Sequence, residues 1–151
     1  MLNCRFRLNG LDMSAITVGQ TSFPAFSGNG PHVNKWSAQC KPASGPIPVG
    51  TYYIVDRLSG GLAAKLDPLL KKDLWFSLYP ADEAVDDEAY CDGVMRGNFR
   101  LLPAVGSGRS IGCITLPFLM DFLHLRKIIL DAKPHELPGT DVTVYGRVVV
   151  S

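Results

Sequence analysis

The sequence lacks a hydrophobic run long enough to cross a membrane. Its most apolar stretches stop well short of the roughly 18 to 20 residues that a membrane span needs. The N-terminal residues interleave polar side chains and do not form the apolar core of a signal peptide. We therefore expect neither a membrane span nor a Sec signal, so a protein acting outside the cytoplasm would need another route.

The sequence also lacks any concentration of charge of one sign. Fifteen Lys and Arg residues against fourteen Asp and Glu residues give a formal net charge of +1. No basic patch is dense enough to neutralise a row of phosphates, which excludes nucleic acid as an expected partner. The glycine-rich run 106–112 has neither the Lys-Ser/Thr ending of a P-loop nor the spacing of a dinucleotide fingerprint.

Cysteine and histidine are too few and too scattered to indicate a metal site. Cys4, Cys40, Cys91 and Cys113 form no CxxC pair, and the three histidines form no HxxxH pair. We expect no bound metal. Cys4 is predicted in an amphipathic strand and Cys40 and Cys91 in polar loops, and the spacing leaves open which of these three form disulfides.

Glycine and proline, by contrast, are abundant, and they favour short strands joined by turns. With 15 Gly and 11 Pro in 151 residues, we predict one domain over 1–151, mainly β with one or two helices. The expected architecture is a twisted, mainly antiparallel β-sandwich or partly closed sheet. The predicted strands are Cys4 to Leu8, Ile16 to Val18, Thr51 to Asp56, Leu74 to Tyr79, Phe99 to Leu102, Ile114 to Leu116 and Asp141 to Val150.

Two helices and two loops complete the prediction. Pro117 to Asp131 has the apolar stripe of a helix that covers the sheet, with Pro117 in its first turn. Leu62 to Asp73 predicts a helix that Pro68 shortens or kinks. We predict a long ordered loop at Thr21 to Pro48 and a solvated acidic loop at Asp82 to Glu88, with the C-terminal strand closing the sheet.

Cys113 is the strongest candidate for chemistry. It follows small residues in Ser110-Ile111-Gly112 and precedes an apolar strand, so a substrate can approach its thiol. The thiol could attack an acyl carbon while backbone N–H groups of this loop stabilise the oxyanion. The alternative is an inert buried cysteine at the start of a strand.

Six segments carry a resemblance to a known family: FPAFSGNG at 23–30, GPIPVGTYYIVDRLSGG at 45–61, WFSLY at 75–79, DGVMRGNFRLLP at 92–103, SIGCITL at 110–116 and LPGTDVTVYG at 137–146. Through nearly the whole chain the sequence resembles the type VI secretion effectors related to the L,D-transpeptidases. These enzymes attack peptidoglycan stem peptides through a catalytic cysteine. The general SHGC signature stands here as SIGC.

The resemblance implies an L,D-transpeptidase-like β-sandwich with Cys113 as nucleophile and Ser110, Ile111 and Gly112 in the surrounding loop. It implies an L,D-carboxypeptidase or D-amino acid exchange activity on tetrapeptide stems, with no cofactor. Such effectors are made in the cytoplasm and delivered by the secretion apparatus into the periplasm of a target bacterium. A cognate immunity protein blocks them.

One departure from the family pattern bears on activity. The family reads FRLHP where this chain reads FRLLP, so Leu102 stands at the position of the histidine that activates the thiol. A leucine neither raises the thiolate fraction nor supplies a proton, and general acid–base help is worth about 10² to 10⁴ in rate. We therefore expect impaired catalysis. The change is compatible with an engineered substitution, a natural pseudoenzyme or a site that uses another base.

Three side chains are predicted to contact substrate. Arg96 and Arg100 flank the Gly97-Asn98 turn and suit the carboxylates of a stem peptide, the alternative for each being a surface ion pair. His32, in the long loop, is a candidate substrate contact or substitute base. His124 and His135 are predicted to lie on the surface.

Two further hypotheses compete with the enzyme. A binding module on the same fold would recognise stem peptide or an immunity protein without turnover. An unrelated β-rich structural domain would leave Cys113 inert.

Overall fold

The structure is a computed structural model that describes residues 1–56, 74–81, 88–104, 112–137 and 142–151. Within these ranges the chain forms eleven strands, one α-helix and two short 3₁₀ helices. The strands are β1 (Leu2–Phe6), β2 (Ser14–Val18), β3 (Thr21–Ala25), β4 (Gly50–Asp56), β5 (Phe76–Pro80), β6 (Glu88–Cys91), β7 (Val94–Gly97), β8 (Arg100–Pro103), β9 (Ile114–Leu116), β10 (His135–Glu136) and β11 (Thr143–Val150). The helices are the 3₁₀ segments Gly30–His32 and Trp36–Ala38, and α1 (Leu119–Asp131).

Nine of the strands form one sheet that nearly closes on itself. The order is β3-β2-β1-β11-β4-β5-β8-β9, with β10 paired to β11. Its two end strands meet where Phe26, just after β3, exchanges backbone hydrogen bonds of 2.9 and 2.8 Å with Thr115 in β9. Two pairs, β1 with β11 and β8 with β9, are parallel.

Alternation along the strands creates one apolar interior. Because side chains of a strand point to opposite faces in turn, every second residue of the sheet faces inward. The inward side chains are buried: Cys4, Phe6, Ile16, Val18, Phe23, Ala25, Tyr52, Ile54, Phe76, Leu78, Leu101, Ile114, Leu116, Val148 and Val150. Their burial is the main stabilising term, at about 1.5 to 3 kcal/mol for each large side chain.

Helix α1 covers this interior with one apolar stripe. Phe122, Leu125 and Ile129 are fully buried in the same core, and their spacing of three and four residues places them on one helical face. The helix begins at Leu119 after the cap residue Phe118, so Pro117 precedes the first turn and does not lie within it.

A two-stranded hairpin, β6 with β7, packs outside the main sheet. A disulfide between Cys40 and Cys91 ties this hairpin to the segment that follows the second 3₁₀ helix, with a Cα–Cα distance of 5.2 Å. The prediction that Cys91 lies in a polar loop is therefore wrong, since the residue ends β6 and is buried. The polar composition of Glu88 to Gly97 hid the hairpin, whose outer side chains face solvent.

The prediction of a mainly β fold with one clear helix is confirmed. Two further details differ. Thr21–Ala25 is strand β3 and not the start of the long loop, because Phe23 and Ala25 alternate inward between exposed neighbours. The C-terminal strand β11 does not close the sheet, since it lies between β1 and β4 and the end strands meet at Phe26 and Thr115.

Parts of the prediction lie outside the described residues. These are the helix at Leu62 to Asp73 and the acidic loop at Asp82 to Glu88, apart from Glu88 itself. Among the residues that the structure describes, no helix is long and apolar enough to span a membrane.

The disulfide generates a first prediction. Replacing both Cys40 and Cys91 with Ser is expected to lower the free energy of unfolding by about 2 to 5 kcal/mol, because the crosslink closes a long loop in the unfolded chain. Chemical denaturation with and without a reducing agent measures this. A reductant should destabilise the natural protein and a Cys113→Ser control, and should leave the double variant unchanged. An equal effect of reductant on all three proteins would contradict the prediction.

Candidate functional site

The Cys113 thiol lies immediately before β9, on the outer side of the sheet. The residue is half-buried and not disulfide-bonded, and its Sγ lies 4.0 Å from the backbone oxygen of Asn98. Ile114 points into the core, so alternation turns Cys113 outward. A reagent or substrate therefore reaches the thiol from outside the sheet.

Gly112 leaves room for two side chains next to Cys113. Its φ of +71° is a left-handed conformation that favours glycine. A Cβ atom built there would lie 2.5 Å from Nη2 of Arg96 and 3.0 Å from Cε1 of Phe99. The glycine of the SIGC motif thus lets a guanidinium and an aromatic ring pack directly against the backbone next to Cys113.

Position 102 and Cys113 share one face of the sheet. Leu102 pairs with Thr115 in the parallel ladder between β8 and β9, and Cys113 lies two residues before Thr115. Residues two apart on a strand point the same way. Leu102 is 6% exposed and lies outside the core cluster, so its side chain faces the same side of the sheet as the Cys113 thiol.

Two buried hydroxyls lie on that same face. Ser77 pairs with Arg100 in β8, two residues from Leu102, and Thr115 pairs with Leu102 itself. Both side chains are essentially fully buried, and neither hydroxyl has a hydrogen-bond partner among the described residues. Leaving a buried hydroxyl unsatisfied costs about 1 to 3 kcal/mol. The surroundings of Leu102 are therefore more polar than a leucine requires.

Arg96 is the buried cation of the site. It is 4% exposed, and its guanidinium donates to the backbone oxygens of Gln39, Pro46 (2.9 Å) and Gly45 (3.2 Å). Its Cζ lies 5.7 Å from the centre of the Phe99 ring. Burial lowers the pKa of Arg96, while the charges of Tyr52 and Cys113 act to raise it.

The surface ion pair considered for Arg96 is therefore wrong. Its described partners are carbonyl oxygens of the long loop, because β7 turns its side chain under that loop. The same contacts bring the loop beside Cys113. Substrate binding by Arg96 stays a prediction, as it does for Arg100, which is half-buried and donates Nη1 to the Phe99 oxygen at 2.8 Å.

The remaining sequence candidates have different outcomes. His32 is held within the long loop, where its Nδ1 lies 2.6 Å from the Ser44 hydroxyl, and its role as a substrate contact or substitute base stays a prediction. Ser110 and Ile111 lie outside the described residues. His124 is exposed, as expected, and packs edge-on against Phe23 with ring centres 5.2 Å apart.

The other cysteines differ in chemistry from Cys113. Cys4 points into the core, and burial raises the pKa of its thiol to about 12. Cys40 and Cys91 form a disulfide with each other and have no free thiol. Of the four sulfurs, Cys113 alone combines exposure with a reduced thiol.

Sequence reasoning missed Ser77 and Thr115. The signal for Thr115 was available, since strand alternation from Cys113 puts it on the same face. Ser77 shares this face because of the strand order, which has no sequence signature. The close approach of Phe99 to Gly112 has none either.

Comparison with known proteins gives one match. Residues 21–140 match the model of the Tlde1 domain, which is well over half of the chain. No matching curated protein and no matching solved structure was found.

The cysteine environments predict selective labelling. Iodoacetamide at neutral pH and without reductant should modify Cys113 alone, because the thiolate is the reactive form and the buried Cys4 thiol keeps its proton. Peptide mass mapping identifies the modified residue. A reduced, denatured sample should label at all four cysteines. Labelling of Cys4 in the folded protein with Cys113 protected would contradict this assignment.

The Gly112 contacts predict a second, separable effect. Gly112→Ala should destabilise the fold by about 1 to 3 kcal/mol from backbone strain, and by more from the clash with Arg96 and Phe99. Gly10→Ala is the matched control, since Gly10 has a φ of +73° and open space around a built Cβ. Thermal or urea unfolding compares the two. Equal losses would show that packing at Gly112 contributes nothing.

Proposed function

The chain belongs to the Tlde1 domain family of type VI secretion effectors, and from this premise we propose that it acts on peptidoglycan tetrapeptide stems through Cys113. The proposed activity is that of an L,D-carboxypeptidase with exchange of the terminal D-amino acid. Because Leu102 replaces the family's histidine, turnover is slow. Family membership implies delivery into target cells, a secretion apparatus and an immunity partner.

One observation carries the proposal: the Cys113 thiol and the side chain at position 102 lie on one face of paired strands. A nucleophile and its base must be within reach of the same reacting atoms. The parallel register of β8 and β9 supplies that arrangement. An inert cysteine in an unrelated β domain has no need of this pairing.

The reaction follows from thiol chemistry. Cys113 Sγ attacks the carbonyl carbon of the L,D bond, the C–N bond breaks, and D-alanine leaves with the proton that the thiol gives up. A thioester remains on Cys113. Water then releases the shortened stem and restores the thiol, or the amine of another D-amino acid takes the acyl group and completes an exchange.

The two unsatisfied hydroxyls support the proposal that the fold suits a polar side chain at position 102. An imidazole has two ring nitrogens that can donate to or accept from a hydroxyl, whereas leucine leaves Ser77 and Thr115 without a partner from that position. The site is thus adapted to a histidine that this chain does not have. This favours a disabled or slowed enzyme over a domain that never had a catalytic site.

The disulfide supports action outside the reducing cytoplasm. Disulfides persist in the bacterial periplasm and are rare in cytosolic proteins. A crosslink between Cys40 and Cys91 would therefore be retained at the proposed site of action, where stem peptides are found.

Restoring the histidine tests the proposal. Leu102→His should convert disaccharide tetrapeptide to tripeptide and D-alanine about 10² to 10⁴ times faster than the natural chain, because the imidazole raises the thiolate fraction and protonates the leaving amine. Mass spectrometry follows the loss of the D-alanine mass. Added D-methionine should appear in the exchange product.

The controls separate the alternatives. Leu102→His combined with Cys113→Ala should be inactive. Equal activity of the natural chain and the Leu102→His protein would mean that another residue is the base, with His32 the first to replace. Binding of tetrapeptide by both proteins without turnover in either would replace the enzyme proposal with a binding module, the second function that Leu102 favours.

A further inference from the structure

We propose that Arg96 is a positioning residue that stabilises the Cys113 thiolate, supplying the positive charge that the histidine missing from position 102 would otherwise provide. The inference rests on the proposed role of Cys113 as nucleophile. It concerns ionisation of the thiol and not the proton transfers of turnover. Arg96 would leave the thiol reactive in a chain whose acid–base partner is lost.

Geometry places the charge beside the nucleophile's backbone. A Cβ on Gly112 would lie 2.5 Å from Nη2 of Arg96, so the guanidinium packs on the residue that immediately precedes Cys113. The arginine is 4% exposed, which limits solvent screening of its field. The charge of Cys113 interacts with that of Arg96, and a buried cation next to the residue that carries a thiol favours the thiolate over the neutral form.

The partners of Arg96 leave its charge uncompensated. Its described hydrogen bonds go to the carbonyl oxygens of Gln39, Gly45 and Pro46, which hold the guanidinium in place but carry no net charge. An arginine remains protonated in proteins. An anion forming at Cys113 is therefore attracted by a full positive charge that these three hydrogen bonds do not neutralise.

Among the residues that the structure describes, three groups besides the pair itself bear on its charge: Tyr52, Arg100 and Glu88, whose carboxylate lines a cavity with Arg96 and Asn98. Tyr52 and Cys113 are the groups whose charges raise the pKa of Arg96 against the lowering by burial. Tyr52 donates its hydroxyl to the Pro48 oxygen at 2.7 Å. Arg100 lies on the β8 face that Cys113 shares, and its charge would act in the same direction.

Two attachments hold Arg96 in position. Its strand β7 belongs to the hairpin whose Cys91 is bonded to Cys40, and the carbonyl oxygens that it contacts lie in the segment around Cys40. The disulfide and the hydrogen bonds therefore join the same two pieces of chain. The guanidinium also packs on the ring of Phe99, whose centre lies 5.7 Å from Cζ of Arg96.

The test is the pH dependence of Cys113 alkylation, followed by peptide mass mapping. The pKa of Cys113 in the natural protein is expected below about 8.5, the value of a free thiol. Arg96→Met should raise it by about one unit, which slows alkylation near neutral pH about tenfold. Arg96→Lys, which keeps the charge, should recover most of the shift. Arg5→Met, at an exposed position on distant β1, should change nothing.

The pH profile distinguishes charge from structure. A merely structural role would change the limiting rate at high pH through altered access and leave the midpoint in place. An unchanged midpoint in folded Arg96→Met would overturn the inference. If that variant does not fold, the inference is tested on the natural protein and on Arg96→Lys. A Cys113 pKa at or above about 8.5 in the natural protein would then overturn the inference.

The outcomes for Arg96 and for the proposed function are separate. A shifted midpoint without any turnover of tetrapeptide by Leu102→His would retain the Arg96 effect and reject the enzyme. Turnover by Leu102→His with no midpoint shift in Arg96→Met would retain the enzyme and reject the Arg96 effect.

Discussion

The apolar interior of the nearly closed sheet determines where every outward side chain lies. Strand residues alternate between the two faces, so burying Ile114 and Leu116 in β9 commits Cys113 and Thr115 to the outside. A slip of one residue in the β8 and β9 register would exchange the faces and expose the core residues. The burial of apolar side chains that stabilises the fold therefore also places the Cys113 thiol on the outer face of the sheet. The site needs no separate device to turn Cys113 toward solvent.

The second organising contact is the guanidinium of Arg96 beneath the long loop. Burying a charged group costs several kcal/mol, and hydrogen bonds to a charged donor return about 1.5 to 3 kcal/mol each. The bonds to Gln39, Gly45 and Pro46 and the packing on Phe99 offset that cost. Because the loop carbonyls have no net charge, the arrangement retains a positive potential next to Gly112. The same contacts hold a loop of irregular backbone in place.

Leu102 lies buried on the outer face of the sheet, beside two buried hydroxyls. It is 6% exposed, and it pairs with Thr115 in the parallel ladder between β8 and β9. Leucine offers no hydrogen-bonding group to the unsatisfied hydroxyls of Ser77 and Thr115.

Much of this arrangement follows from sequence alone. Alternating apolar residues predicted most of the strands, because period-two patterning reports burial of one strand face. The stripe of Phe122, Leu125 and Ile129 predicted α1 for the same reason at helical spacing. The SIGC and FRLLP motifs identified Cys113 and Leu102 as the positions of interest. The residue type alone shows that a thiol can be a nucleophile and that a leucine cannot transfer a proton. Strand β3 and the β6 and β7 hairpin were missed because their exposed polar residues are also typical of loops.

The tertiary structure decided what brings distant residues together. The bond between Cys40 and Cys91 depends on how the hairpin packs, and no local pattern encodes that. Arg96 was expected at a cleft or on the surface, and the structure buries it under carbonyl oxygens from residues about 50 positions away in the chain. The shared face of Leu102, Ser77 and Thr115 depends on strand order. Residue types and periodicities are local properties of a sequence, whereas contacts between separate segments depend on the packing of the whole chain.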